Sequence, residues 1–266
     1  MKNEYSFISN EINAHGGECY LVGGFVRDKL LEYNNQDYDL ATSLKPSRIR
    51  DIFKDYIIAD YAYKYGNIVL SINDIKFEVT TYRTDHNAFK RKCDVEFTDD
   101  IVVDSKRRDF TINAIYCDTQ NYYDFNQGIE DLNNKIIKTV IDPKISFKQD
   151  PLRMLRAIRF VGTYNFEIEP LTYEALVFNF DLLEYVNKNV IYKELSKLIM
   201  SPYFIETFNK FQLLFNAMYP EINKEIKDLE LSEDYKTRVK QLATYFNITN
   251  ESQIIINYPQ FKKLIK

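Results

Sequence analysis

Asp37 and Asp39 stand one residue apart in Asp37-Tyr38-Asp39, and upstream of them an apolar run ends in a glycine pair, Leu21-Val22-Gly23-Gly24. Side chains on a strand alternate between its faces, so Asp-x-Asp on a strand points two carboxylates the same way. A glycine pair between a strand and a helix lets backbone N–H groups approach a phosphate closely, and the helix dipole favours the negative charge. Paired carboxylates beside a phosphate cradle are what two-metal phosphoryl transfer requires. Singly, each feature has a plainer meaning: Gly-Gly as a turn, Asp-x-Asp as a solvated loop or cap. Their order and spacing point to nucleotidyl transfer.

Positioning these groups takes regular elements. Residues 4–14 read as a helix, 18–23 as a strand entering the glycine pair, and roughly 25–32 as a second helix. Asp37 to Thr42 reads as a short strand, and Pro46 suits the first position of a helix over 46–54. Residues 67–82 read as a hairpin turning at Asn73-Asp74, with Phe77, Val79 and Thr81 alternating with Glu78, Thr80 and Tyr82. That places Glu78 on a strand from which it could reach the site of the two aspartates; its plainer reading is an exposed hairpin residue. Residues 84–106 are polar and without clear period, which predicts a mobile loop. Order resumes over Arg107 to Cys117, and 121–138 carries short strands and a turn at Asn126-Gln127-Gly128. From Asp150 onward apolar residues recur at three- and four-residue spacing, broken at Pro170, Pro202, Pro220 and Pro259. The chain thus divides into a mixed α/β front part to about residue 140 and an all-helical rear part.

Arginines cluster in two places. Arg107-Arg108 abuts Phe110 and Ile112, which suggests a cationic wall to a pocket, against the alternative of surface charge. Farther on comes Asp150-Pro151-Leu152-Arg153-Met154-Leu155-Arg156-Ala157-Ile158-Arg159-Phe160. Pro151 suits the first helical position, which makes Asp150 a candidate N-cap. Asp150 and Arg153, three apart, also meet on one helix face. Arg156 and Arg159 continue the row, as ligand-binding cations or as solvated charges.

Five blocks, in order, carry a resemblance. They are Leu21-Val22-Gly23-Gly24-x-Val26-Arg27-Asp28, Asp37-x-Asp39-x-Ala41-Thr42, Arg107-Arg108-Asp109-Phe110-Thr111-Ile112-Asn113-Ala114-Ile115, Asp124-Phe125-x-x-Gly128-Ile129-x-Asp131-Leu132 and the Asp150–Phe160 block. From about residue 5 to 200 the chain resembles the class II CCA-adding tRNA nucleotidyltransferases and the bacterial poly(A) polymerases that share their fold. The resemblance implies an α/β N-terminal nucleotidyltransferase head, a mixed five-stranded sheet with helices, followed by an all-α neck and body. The implied divisions are a catalytic head over 1–140, a neck with the nucleotide-selecting helix over 141–200, and a helical body over 201–266. Family members usually extend well over a hundred residues further into a tail that grips the tRNA elbow, so that tail is expected to be absent or reduced.

Residue by residue, the resemblance makes Asp37 and Asp39 catalytic ligands of Mg²⁺. Hard carboxylate oxygens suit that ion, which keeps waters and bridges substrate phosphates. Glu78 resembles the third carboxylate, either completing the metal site or helping to deprotonate the attacking hydroxyl. Gly23, Gly24 and Arg27 resemble the triphosphate-binding residues, and Arg108 a further nucleotide-contacting arginine. Asp150 and Arg153 resemble the pair that hydrogen-bonds the Watson–Crick edge of the incoming base, so that side chains replace a nucleic-acid template. An acceptor-only carboxylate beside a forked donor can match cytosine and adenine edges while rejecting guanine and uracil. Arg156 and Arg159 resemble the remaining nucleotide-binding arginines. The sequence departs from the family at Gln149, where Glu is frequent, and only loosely follows its later Glu-Arg helix at Val190-Ile191-Tyr192-Lys193-Glu194-Leu195.

The expected partners are therefore CTP, ATP and the 3′ end of tRNA or another RNA, with A-only, CC-only and poly(A) addition as alternatives of the same family. A catalytically silent RNA-binding protein on the same scaffold is the rival of another class, and the presence of all three carboxylates argues against it. Composition fits an ordinary globular protein: 266 residues, 45% hydrophobic and 28% charged. With 21 Tyr, 19 Phe and no Trp, it is rich in rings, some of which could stack on bases. The net charge of −4 gives no bulk attraction to nucleic acid, so any RNA contact must come from local arginine clusters. No run of 18 apolar residues suggests a membrane span, and the N-terminus lacks the apolar stretch of a signal peptide. Cys19, Cys93 and Cys117 are scattered and odd in number, which reads as reduced thiols in a cytoplasmic protein. Nothing in the sequence calls for an obligate protein partner.

Overall fold

A computed structural model describes residues 2–265, which divide into two compact units, one up to residue 146 and one from residue 147 onward. The first unit is built on a mixed sheet flanked by helices. Its strands are β1 (Cys19–Val22), β2 (Tyr38–Thr42), β3 (Ile57–Ala59), β4 (Asn67–Ile72), β5 (Ile75–Thr81), β6 (Arg83–Phe89), β7 (Lys92–Phe97), β8 (Ile115–Cys117), β9 (Tyr122–Asp124) and the two-residue β10 (Ile136–Ile137). The helices of this unit are α1 (Lys2–Ala14), α2 (Gly24–Leu30), α3 (Pro46–Ile52), α4 (Ile101–Lys106), α5 (Gly128–Asn133) and α6 (Pro143–Gln149), the last running past the division.

Among the described residues the main sheet has seven strands in the order β3-β4-β5-β2-β1-β8-β9, rather than five. The two outermost strands, β3 and β9, are three residues long, too short to carry a readable alternation. β2 lies antiparallel to β1 and parallel to β5, and in the parallel pair Asp39 is the register partner of Glu78. The Asn73-Asp74 turn between β4 and β5 has both residues at positive φ, 49° and 63°, as a tight hairpin turn demands.

Alternation along the strands separates two faces. Leu21, Leu40, Ile68, Leu70, Phe77 and Val79 pack with Tyr5, Ile8 and Ile12 of α1, Val26 of α2 and Ile49 of α3 in one buried core. Each of these side chains contributes roughly 1.5–3 kcal/mol by leaving water. The residues between them, Asp39 and Ala41 on β2 and Glu78 and Thr80 on β5, point to the opposite face. There a small cluster of Val22, Ala41, Tyr82 and Tyr116 is buried, and the carboxylates stand beside it.

Residues 84–106 are not an irregular loop. β6 and β7 form a separate antiparallel ribbon, and α4 follows, capped by Asp100, whose side chain accepts from the amides of Val102 and Val103. No residue of the ribbon is fully buried, and Arg83-Thr84-Asp85-His86-Asn87 of β6 is polar throughout. β7 does alternate, with Cys93, Val95 and Phe97 half-buried between exposed Lys92, Asp94 and Glu96, a strand signal that the reading as a loop passed over. The segment around Asn126-Gln127-Gly128 likewise does more than turn: it opens α5. Asp124 accepts from the amides of Asn126, Gly128 and Ile129, and a Cβ on Gly128 would lie 2.2 Å from the Thr111 carbonyl oxygen. Only glycine allows that approach.

The second unit is helical: α7 (Leu152–Tyr164), α8 (Pro170–Phe178), α9 (Lys188–Ile199), α10 (Phe204–Lys210), α11 (Gln212–Met218), α12 (Tyr235–Tyr245), α13 (Gln253–Asn257) and α14 (Pro259–Ile265). α7 is buried along most of its length and packs on α9.

Candidate active site

β1 delivers the glycine pair and β2 the aspartates to the open face of the sheet. Gly23 has φ +75°, a conformation that costs glycine little, and a Cβ there would come 3.1 Å from Asp39 Oδ2. The cradle and the carboxylate are therefore in close contact. Asp39 is half-buried and Glu78 exposed. Asn67 Nδ2 donates to Glu78 Oε2 at 3.5 Å and to Thr80 Oγ1 at 3.1 Å.

A cleft of about 450 Å³ brings Asp39, Glu78 and Arg108 together, along with Arg83, Arg107, Tyr61 and Tyr65. Asp37 does not line it. That residue is exposed immediately before β2, where its amide donates to Asn35 Oδ1 at 2.8 Å. Among the described residues no group of three or more His, Cys, Asp or Glu side chains is gathered to hold a metal ion. Asp37 and Asp39 offer two hard carboxylates, the donor type a Mg²⁺ ion takes while filling its other positions with phosphate and water oxygens.

Arg27 is 5% exposed and turned into the protein. It donates to Asp28 Oδ1 at 2.9 Å and to Asn113 Oδ1, while Asn113 Nδ2 donates to Asp109 Oδ1 at 3.0 Å. Asn35 Nδ2 in turn donates to Asp28 Oδ2 at 2.6 Å. One continuous network thus runs from the Asp37 amide through Asn35, Asp28, Arg27 and Asn113 to Asp109, tying three of the sequence blocks together. Burial makes such a network strong when its members are satisfied.

The arginine wall has an anchor that sequence reasoning missed. Asp104, fully buried, accepts from Arg107 Nε at 2.8 Å, Arg108 Nη2 at 2.9 Å and the Tyr116 hydroxyl at 2.7 Å. Burial alone would raise its pKa, but the Arg108 and Arg107 guanidiniums and the Tyr116 hydroxyl outweigh it and hold the carboxyl at about 2. Arg108 also donates to the Tyr116 hydroxyl at 2.9 Å. Burial opposes its charge, but Tyr116 and Asp104 overcome this and raise its pKa further. The spacing of Asp104 from Arg107 and Arg108, three and four residues, was the available signal.

In the second unit, Asp150 Oδ1 accepts from the Leu152 amide at 3.0 Å, the arrangement of a helix cap. Arg153 is buried, 8% exposed. The Arg156 guanidinium lies 5.7 Å from the Phe160 ring centre. Arg159 donates to Glu194 Oε2 at 2.6 Å and stacks over the same ring at 4.3 Å. Glu194, on α9, belongs to the segment that only loosely follows the family's later helix; its pairing with Arg159 was not legible, because the two lie 35 positions apart, beyond any local spacing rule.

A profile of the Poly A polymerase head domain matches residues 19–138. The CCA-adding enzyme of Staphylococcus aureus is 34% identical across 97% of this chain and 72% of its own length. The chain belongs to the CCA-adding enzyme family. The family's Enterococcus faecalis member is 40% identical over 73% of this chain and 48% of its own length. The chain thus spans about half the length of that relative. The crystal structure of the Bacillus stearothermophilus CCA-adding enzyme in complex with CTP superposes with a TM-score of 0.82, at 28% identity, covering 98% of this chain and 67% of that one. The Thermotoga maritima CCA-adding enzyme complexed with tRNA shares the fold, with a TM-score of 0.68 at 23% identity, over 92% of this chain and 57% of that one. Among the described residues no helix is long and apolar enough to cross a membrane.

Proposed function

We propose that this chain adds C and A to the 3′ end of tRNA from CTP and ATP, without a nucleic-acid template and with release of pyrophosphate. The observation that carries the reading is the register pairing of Asp39 with Glu78 on the open face, beside the Gly23 cradle and in one cleft with Arg108. Family membership supports it. Its relatives are CCA-adding enzymes, which favours CCA addition over A-only, CC-only or poly(A) addition.

In this reading the 3′-oxygen of the RNA bonds to the α-phosphorus as the bond from that phosphorus to the pyrophosphate oxygen breaks. Gly23 and Gly24 present backbone N–H groups to the triphosphate, with Arg27 stiffening the turn from beneath and Arg108 supplying positive charge. Asp37 and Asp39 would hold Mg²⁺, which when bound polarises the hydroxyl and neutralises the triphosphate. Glu78 accepts the hydroxyl proton or completes the oxygen ligand set. Asp150 and Arg153 read the base edge, and Arg156 and Arg159 build the same nucleotide site on α7. A head over 1–140, a neck over 141–200 and a body over 201–266 divide these tasks, in the cytoplasm where tRNA is repaired and matured.

The decisive experiment offers tRNA lacking its CCA end together with each nucleotide, singly and in combination. Two CMP and one AMP per tRNA are expected. Incorporation of AMP alone, CMP alone or long A tracts would select one of the family alternatives, and no incorporation would leave an RNA-binding scaffold.

A further inference from the structure

The cleft has an aromatic edge that none of the assigned roles uses. Tyr61 and Tyr65 bracket the turn between β3 and β4, and both line the cleft that holds Asp39 and Glu78. Tyr61 is 85% exposed, the most exposed large apolar side chain among the described residues, although it faces a polar site. Tyr63, between them, is already covered by the Arg50 guanidinium at 4.1 Å from its ring. Tyr65 is fixed from below: Arg83 donates to its backbone carbonyl, and Gly66 ends the turn at φ +83°. Lys64 Nζ lies over the Tyr65 ring at 4.7 Å and the Arg83 guanidinium at 5.9 Å from its centre, so the turn is held in place and Tyr61 is the ring that stands open at the cleft.

Sheet order says what that ring meets. The order β4-β5-β2-β1 puts the glycine cradle on the β1 side of Asp39, and Glu78 and the tyrosine turn on the other side. In an in-line displacement the attacking oxygen and the departing pyrophosphate lie on opposite sides of the α-phosphorus. If the triphosphate lies over Gly23 and Gly24, the attacking RNA end arrives across β5 and β4. We propose that Tyr61, at the rim of the turn that Tyr65 anchors, forms a stacking platform for the terminal base of the RNA acceptor. Rings suit this task because every base offers a π face, so stacking tolerates an acceptor end whose base changes with each addition. The inference rests on the nucleotidyltransferase reading of the same cleft.

Because the chain contains no tryptophan, Tyr61→Trp introduces a unique fluorophore at the proposed platform. An RNA stem-loop with an unpaired 3′ nucleotide should quench it, the same stem-loop with an abasic 3′ residue should quench it much less, and CTP or ATP alone should leave it unchanged. In full-length chain, Tyr61→Ala should raise KM for the RNA by about 5- to 150-fold, the range expected for one lost base stack, with KM for CTP little changed and Tyr61→Phe restoring the RNA KM. Quenching by CTP or ATP alone would overturn the assignment to the RNA end. Equal quenching by the abasic stem-loop, or an unaltered RNA KM in Tyr61→Ala, would overturn stacking. A wild-type chain that incorporates nucleotides while the Tyr61→Trp signal ignores RNA overturns the platform alone. Base-dependent quenching without any incorporation overturns the transferase reading and leaves the platform standing.

Discussion

Arg108 Nη2 donates to Asp104 Oδ2 at 2.9 Å, and that carboxylate, shut off from solvent, also takes hydrogen bonds from Arg107 and Tyr116. A cation on the wall of the cleft is thus aimed by a residue that does not line it. Removing one partner of a buried ion pair leaves the other uncompensated, which costs about 3–5 kcal/mol. Asp104→Asn should lower the melting temperature and raise KM for nucleotide more than it lowers kcat. Urea titration with steady-state kinetics checks both, and a variant of wild-type stability and kinetics would contradict the anchoring role.

The same carboxylate predicts an acid limb. Its folded-state pKa of about 2 lies below the ordinary aspartate value near 4, so its ion pairs contribute stability above about pH 4. That contribution, roughly 2 kcal/mol, is lost as pH falls from about 4 through 2. Unfolding free energies measured over this range should fall less steeply in Asp104→Asn than in wild type.

Asp37→Ala and Asp39→Ala should each abolish nucleotide addition while far-UV circular dichroism stays native. Asp37 is exposed and Asp39 half-buried on the open face, so neither supports the core. More than a few per cent of activity in both variants would sink the metal-binding assignment.

Asp150 carries two readings that one substitution can separate. Its carboxylate caps α7 through the Leu152 amide, so Asp150→Ala should cost about 1 kcal/mol of stability. Asp150→Ser restores a capping oxygen but cannot reproduce a carboxylate at a base edge. If Asp150 reads the base, both variants should lose about ten- to a hundredfold in selection of CTP and ATP over UTP and GTP, with stability falling only in Asp150→Ala. Measuring kcat/KM for all four nucleotides in Asp150→Ser decides the matter; wild-type selectivity there would reduce Asp150 to a cap.

Gly128→Ala should destabilise the first unit by at least about 2 kcal/mol, because the added methyl would meet the Thr111 backbone carbonyl rather than a movable side chain. Chemical denaturation reports this directly. A stability within about 0.5 kcal/mol of wild type would show that α5 can shift away from residues 111–113.

The sequence by itself determined the elements that surround the chemistry. Gly23-Gly24 could be placed between strand and helix, and the Asn73-Asp74 hairpin located, because turn chemistry and alternation act over a few residues. Phe77 and Val79 point into the core and Glu78 away from it for the same local reason. β6 was illegible, since its run of polar residues leaves no periodic trace, and β7, which does alternate, was passed over. Of the three-residue edge strands β3 was missed, while β9 falls among the short strands read over 121–138. Tertiary structure alone decided which side chains meet. The pairing of Asp39 with Glu78 depends on a parallel register between strands far apart in sequence, the Arg27–Asn113 contact spans 86 positions, and the Arg159–Glu194 pair spans 35. Local sequence fixes where a side chain points relative to its own backbone; only packing fixes what it finds there.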